Sequence, residues 1–175
     1  MPPQSAWELI QEHLKQPEYL HVLLNPLPIY GLAMGLLALV VAMSLRNRKA
    51  EITALIIVFI AALSAWPTIH YGEAGYDRAQ TLNETSTDWL DAHAQRGERA
   101  EPAFYILAAL AAAALAVPWK FPKTATALNT LTLLGTIAVL AIGAWVAYAG
   151  GQVRHQEFRY GTPPEPKGGY EKMRD

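Results

Sequence analysis

Residues 26–45, PLPIYGLAMGLLALVVAMSL, contain no Asp, Glu, Lys, Arg or His. The hydrocarbon core of a bilayer is about 30 Å thick, and a helix needs about 20 apolar residues to cross it. A helix of a soluble bundle keeps a polar face, and this stretch has none. The same property recurs at 52–69 (ITALIIVFIAALSAWPTI) and 125–149 (ATALNTLTLLGTIAVLAIGAWVAYA). It recurs over a shorter length at 103–117 (AFYILAALAAAALAV), where Pro118, Trp119 and Phe121 extend the run into an interface. The expected fold is therefore all-α: an integral membrane four-helix bundle with spans at about 26–45, 52–70, 103–119 and 125–149. A segment over 1–25 precedes it and a tail over 150–175 follows.

The flanks of these runs suggest an orientation. The first connection, RNRKAE, carries Arg46, Arg48 and Lys49, and the third, PWKFPKT, carries Lys120 and Lys123. Basic residues packed into short loops mark the cytoplasmic side. Of the 15 acidic residues only Glu51 lies in those loops. Both termini are then expected outside, which in a bacterium places them on the periplasmic side of the cytoplasmic (inner) membrane. The first 25 residues lack a basic leader and a small-residue cleavage site, so no signal peptide is expected. Cys is absent, which removes disulfides, thiolate metal sites and covalent c-type haem. A net charge of −1 with no basic cluster argues against nucleic acid.

Beyond the spans, SAWELIQEHLKQ at 5–16 places Ser5 and Glu8 at capping-box spacing, with Trp7, Ile10 and Leu14 on one face. A short helix along the bilayer surface is expected there. Thr85 and Asp88 repeat the capping spacing before the third span. The tail, rich in Gly, Pro and charge, is not expected to fold alone. Asn25-Pro26 reads as a helix start, with Asn as cap and Pro in the first turn. Gly31 and Gly35 give a small-xxx-small face for close helix contact, and the Ala-rich third span offers another.

Four of the five histidines sit near span ends: His21 before the first, His70 at the end of the second, His93 approaching the third and His155 beyond the fourth. His13 falls on the surface helix. Imidazoles at one depth of a helical bundle are how membrane b-type cytochromes hold haem through two axial ligands. The same residues, aided by Glu73, Asp77, Asp91 or Glu98, suit a metal ion. Since ligands usually lie within a span, His70 is the expected first ligand, with His21 or His93 opposite it and His155 next. For a metal ion the expected set is His70, His93 and Glu73. Tyr30, Trp66, Tyr71, Tyr76, Trp89, Tyr105, Trp145 and Tyr148 crowd the same level and are read first as the aromatic belt that anchors any span, with a flat wall for a quinone or porphyrin as the alternative.

The segment His21-Val-Leu-Leu-Asn25-Pro-Leu-Pro28-Ile-Tyr-Gly31 resembles the entry of an uncharacterised family of four-helix bacterial inner-membrane proteins. Its members begin H-x-x-x-N-H-x-P with a following Gly, carry Gly-Glu after the second span and then a loop histidine with an acidic neighbour. Gly72-Glu73 and His93 resemble the second and third elements, and the likeness covers roughly 19–149. Pro26 stands where the family has a second histidine, and Ala94 where it has the acidic neighbour. The resemblance implies the four-span fold.

Two functions follow as expectations. One is a membrane subunit of a redox or electron-transfer system, holding a b-type haem or metal ion near the periplasmic face. The other is a cofactor-free structural accessory subunit, bound to other membrane proteins through its tail and small-residue helix faces. Neither requires an enzymatic activity of its own. An ion pathway needs ionisable groups inside the bilayer, and the four runs have none. Their polar cluster, Asn129, Thr130, Thr132 and Thr136, is one that backbone or interhelix hydrogen bonds satisfy. No G-x-S-x-G, H-E-x-x-H or phosphate loop is present.

Overall fold

The computed structural model describes residues 5–81 and 87–161. Every regular element among them is helical: α1 (Ala6–His13), α2 (Pro17–Leu24), α3 (Pro26–Ser44), α4 (Arg48–Leu63), α5 (Ala65–Ala74), α6 (Tyr76–Thr81), α7 (Thr87–Lys120) and α8 (Ala125–Arg154). Four helical stretches are long and apolar enough to cross a membrane: 17–44, 48–74, 87–120 and 122–154. The chain is a membrane protein with its spans in a helical bundle.

The first stretch begins earlier than the sequence suggests. Asn25 has helical dihedrals (φ −51°, ψ −34°), its side chain caps nothing, and its backbone N–H donates to the His21 carbonyl at 2.8 Å. Asn25-Pro26 is therefore a joint inside a helix that starts at Pro17. Pro26 withholds the N–H that would have bonded the Val22 carbonyl, which bends a helix without ending it. Ser64 (φ −66°, ψ −12°) joins α4 to α5 in the same way, one turn around Pro67. Both long stretches thus pass through a proline joint near the same end of the bundle, and α7 carries Pro102.

At α7 the 70–102 connection proves mostly helical. α7 has 34 residues, a length of about 51 Å at 1.5 Å per residue, well beyond a bilayer core. Its first half, with Asp88, Asp91, His93, Arg96, Glu98 and Glu101, extends past the apolar run and packs against the extended ends of the other stretches. Thr85 lies outside the described residues, so the second capping box does too. The first capping box is present: Ser5 Oγ accepts from the Glu8 N–H at 3.3 Å, and Glu8 accepts from the Ser5 N–H at 2.8 Å. α1 buries no residue of its own.

Packing is close where side chains are small. Leu32, Val58, Ala61, Ala62, Ala65, Ala100, Phe104, Leu107, Ala108, Ala111 and Val139 form the main core, and Leu39, Ala54, Leu55 and Ala114 a second one nearer the basic loops. The outward faces are apolar as well. Met34 (61% exposed), Ile60 (60%), Ile106 (69%) and Leu134 (56%) come from four different stretches and ring the bundle. Burying such a belt in water would be unfavourable, whereas lipid solvates it.

Near the basic loops the buried threonines of α8 bond back to their own helix, whereas Asn129 pairs through its amide nitrogen and leaves its buried Oδ1 without a partner among the described residues. Thr132 donates to the Leu128 carbonyl and Thr136 to that of Thr132, at 2.8 and 2.7 Å. Asn129 Nδ2 donates to Glu51 at 2.9 Å, and Arg48 donates to the same Glu51 oxygen at 3.2 Å. Glu51 therefore belongs to the first turn of α4 and ties it to α8. Asn47 caps α4 by accepting from the N–H groups of Lys49 and Ala50. Asn47→Ala should cost about 1 kcal/mol, read as an earlier midpoint in a denaturing-detergent titration followed by circular dichroism.

The start of the tail is held by the chain itself. α8 runs on to Arg154, a short turn covers Gln156–Phe158, and Arg159 folds back to donate to the Gln152 and Val153 carbonyls at 2.7 and 2.9 Å. Its guanidinium also lies over Trp89 at 5.8 Å. A cation at the last carbonyls of a helix is favourable. Residues 162–175, the rest of the tail, lie outside the described residues.

Candidate histidine pair at the end of the bundle

Two of the five histidines meet. The rings of His21 on α2 and His93 on α7 lie 6.2 Å apart, centroid to centroid, at 69°. Each ring is built in by the same device. His21 Nδ1–H donates to the Thr68 carbonyl at 2.7 Å, and an added Cβ on Gly72 would stand 2.8 Å from that Nδ1. His93 Nδ1–H donates to the Val146 carbonyl at 3.2 Å, and an added Cβ on Gly150 would stand 3.0 Å from its Cε1.

In both cases the glycine lies four residues after the carbonyl. Within a helix the carbonyl of residue i faces the N–H of residue i+4, so side-chain atoms at i+4 crowd the approach to it. A glycine there opens the carbonyl to a ring from a neighbouring helix. Thr68 and Gly72 do this for His21, and Val146 and Gly150 do it for His93. The first helical hairpin thus supplies one seated imidazole and the second hairpin supplies the other.

The chemistry follows from the anchoring. A carbonyl only accepts, so Nδ1 carries the proton in each neutral imidazole and Nε2 keeps its lone pair. Fixing the ring through Nδ1–H to a carbonyl is also how metal-bound histidines are oriented. Around the pair, Tyr76 of α6 donates to Asp91, and Arg96 donates to the Trp145 carbonyl at 3.0 Å while lying over its ring at 4.7 Å. These contacts fix the first half of α7 against α6 and α8. Glu18, one turn before His21, pairs with Arg78 at 2.9 Å.

The other expected ligands stand apart from this pair. His70 is exposed and stacks on Trp66 at 5.7 Å and 9°. His155 is exposed, 3.0 Å from Glu157 and stacked on Phe158. The backbone N–H of Glu157 and then the His155 side chain hold the Glu157 carboxyl below its ordinary pKa. Glu73 is exposed too, and His13 packs on Tyr19. Among the described residues no three His, Cys, Asp or Glu side chains come together as a metal-holding group, so the set His70, His93 and Glu73 is not assembled.

Beside the carbonyls that seat the pair lies a half-open apolar pocket of about 60 Å³. Its walls come from α3, α5, α7 and α8, and include Thr68 and Val146, whose carbonyls hold the two rings. Sequence reasoning located both histidines but not the seats that select them. No family model matches the chain, and no curated protein or solved structure matches it either.

Proposed function

We propose that the chain is a membrane subunit of an electron-transfer system and that His21 and His93 are its cofactor ligands. The observation that carries this reading is the doubled seat: two imidazoles from different hairpins, each fixed through Nδ1 to a backbone carbonyl, with both Nε2 atoms left as donors. Imidazoles sharing one metal through bonds of about 2 Å hold their ring centroids roughly 6 Å apart, and the 6.2 Å separation suits that. Two histidines are the full axial complement of a b-type haem. They fall short of the four donors of a closed structural zinc site, which favours haem, or an ion content with two nitrogens. A haem bound there would supply a one-electron carrier; the chain's own part is to hold and orient the two imidazoles. The basic loops at the opposite end support a periplasmic location for the pair, in a bacterial inner membrane.

The test is a reduced-minus-oxidised absorbance spectrum of the detergent-purified protein, with metal analysis of the same sample. A b-type α-band at about one haem per chain, lost in His21→Ala and in His93→Ala but kept in His70→Ala, is the expected result. A colourless, metal-free sample that takes up no added haem overturns it.

One observation favours the second reading, a cofactor-free accessory subunit. The bonds from His21 to Thr68 and from His93 to Val146 already join α2 to α5 and α7 to α8. A histidine that ties two helices needs no ligand to account for it.

A further inference from the structure

We infer that the basic loops, at the end of the bundle opposite the histidine pair, form a binding site for the phosphate headgroup of an anionic phospholipid. Such a site is independent of the electron-transfer reading. Polar contacts bring the two loops to one place. Arg48, in the first turn of α4, reaches the Ala114 carbonyl of α7 at 3.5 Å, and Glu51 accepts from Asn129 of α8 at 2.9 Å. The loop before α4 and the loop between α7 and α8 therefore share one end of the bundle. Their five cations, Arg46, Arg48, Lys49, Lys120 and Lys123, have a single carboxylate among them, Glu51. Arg48 takes it at 3.2 Å. Arg46, Lys49, Lys120 and Lys123 are all exposed, and among the described residues none of them pairs with an acidic side chain. Lys120 lies over the ring of Phe121 at 5.7 Å. An anion is what this end of the bundle lacks.

Arg46 points the same way. It stands at φ 51°, in the left-handed region, and among the described residues no other residue bearing a side chain has a positive φ. The turn that ends α3 imposes this: the Arg46 N–H donates to the Met43 carbonyl and the Asn47 N–H to that of Ala42, both at 3.1 Å. Helices commonly close with this pair of bonds, and the left-handed position in it usually belongs to glycine, because a Cβ crowds the backbone there. Glycine would serve the turn better. What arginine adds is a guanidinium, which takes a phosphate through two parallel hydrogen bonds. A positive charge that only oriented the spans could stand at a neighbouring position without strain.

The surroundings set the class of anion. Leu45 precedes Arg46, Trp119 and Phe121 bracket Lys120, and all three apolar side chains are exposed. A soluble anion gains nothing from them. A phospholipid sets its phosphate at the cations and its chains against the apolar groups, as basic clusters beside membrane spans do with anionic lipid.

The full chain, reconstituted in phosphatidylcholine vesicles, is tested by electron paramagnetic resonance for contact with spin-labelled phosphatidylglycerol and with spin-labelled phosphatidylcholine. A cation near an anionic lipid is worth about a fivefold change in affinity, so the expected preference for phosphatidylglycerol is at least about tenfold. It should saturate as the mole fraction of that lipid rises. Arg46→Gly and Lys123→Gln should each lower the preference about fivefold. With Arg46→Gly the unfolding midpoint in pure phosphatidylcholine should hold or rise, because glycine suits the left-handed turn; loss of binding is thereby separated from loss of fold. Arg154→Gln, at the far end of α8, and His21→Ala should leave the preference unchanged, so this site and the haem reading fail independently. Equal contact with both lipids overturns the inference. So does a preference that never saturates, or one that neither Arg46→Gly nor Lys123→Gln alters, since either would be diffuse attraction. Release of the labelled phosphatidylglycerol by millimolar inorganic phosphate at constant ionic strength would assign the cations to a soluble anion instead.

Discussion

A methyl group placed on Gly31 or on Gly35 is expected to destabilise the bundle by about 1–3 kcal/mol each, the cost of overpacking a filled interface. The added Cβ on Gly31 would stand 2.7 Å from the Cβ of Ala61, and that on Gly35 2.8 Å from Val58 Cγ2 and 3.2 Å from the Val58 backbone nitrogen. Neither Ala61 Cβ nor a backbone nitrogen can rotate away, so α3 and α4 must separate. The separation would open the core between them, in which Leu32, Val58, Ala61 and Ala62 are buried. Two controls give the opposite expectation from the same chemistry. Gly97→Ala meets nothing within 4 Å and should stabilise α7 by up to about 1 kcal/mol, the ordinary helix preference of Ala over Gly. Gly135→Ala faces the flexible ends of Leu107 at 3.2 Å and Leu110 at 3.6 Å and should change little. Midpoints in a denaturing-detergent titration check all four. Equal losses at Gly31, Gly35 and Gly97 would mean that backbone freedom, not close approach, sets the requirement for glycine.

The small-xxx-small face at Gly31 and Gly35 was legible because helical spacing fixes which residues share a face. So were the four spans, since a bilayer imposes length and apolarity together. The Asn25-Pro26 joint was not. Capping and continuation use the same two residues, and only the dihedrals of Asn25 distinguish them. In a bundle, neighbouring helices tolerate a proline joint that would end a helix in water.

The histidines illustrate a second limit. Position along the chain gives depth in the membrane, and at equal depth His70 looks better placed than His21. Direction around the helix decides the matter. Residues two apart point about 200° from each other, so once Thr68 faces the bundle, His70 faces away. The signal for that was present: Ala61, Ala65, Thr68, Gly72 and Gly75 form a stripe of small residues at spacings of four, three, four and three. Such a stripe marks the inward face of α4 and α5, and His70 is off it. Nothing along the chain announces that Thr68 and Val146 present their carbonyls to two rings that meet.

A double-mutant cycle on His21 and His93 should show strong, haem-dependent coupling if the two rings share a ligand, and only the weak coupling of two touching rings if each ties its own pair of helices. The structure makes the two cases distinct because the rings bond different carbonyls, Thr68 and Val146, on different hairpins. As separate ties, each His→Ala change costs about 1 kcal/mol, the net worth of one hydrogen bond. Because the rings meet at 6.2 Å, the double variant departs from the sum by about 0.5 kcal/mol or somewhat more, equally with and without haem. As a shared site, the first substitution forfeits the whole stabilisation from binding, which reaches about 4 kcal/mol when the ligand is present at a thousand times its Kd. The second substitution then removes only its own tie. The cycle is therefore run twice, on protein as purified and on protein reconstituted with haem. Coupling of several kcal/mol that appears only with haem supports the electron-transfer reading through stability alone, without reliance on a spectrum. The same weak coupling in both samples would reduce the pair to two interhelix bonds and favour the accessory subunit. His70→Ala is the reference in either case: exposed and stacked only on its neighbours Trp66 and Tyr71, it should shift the midpoint by less than about 0.5 kcal/mol with haem or without it.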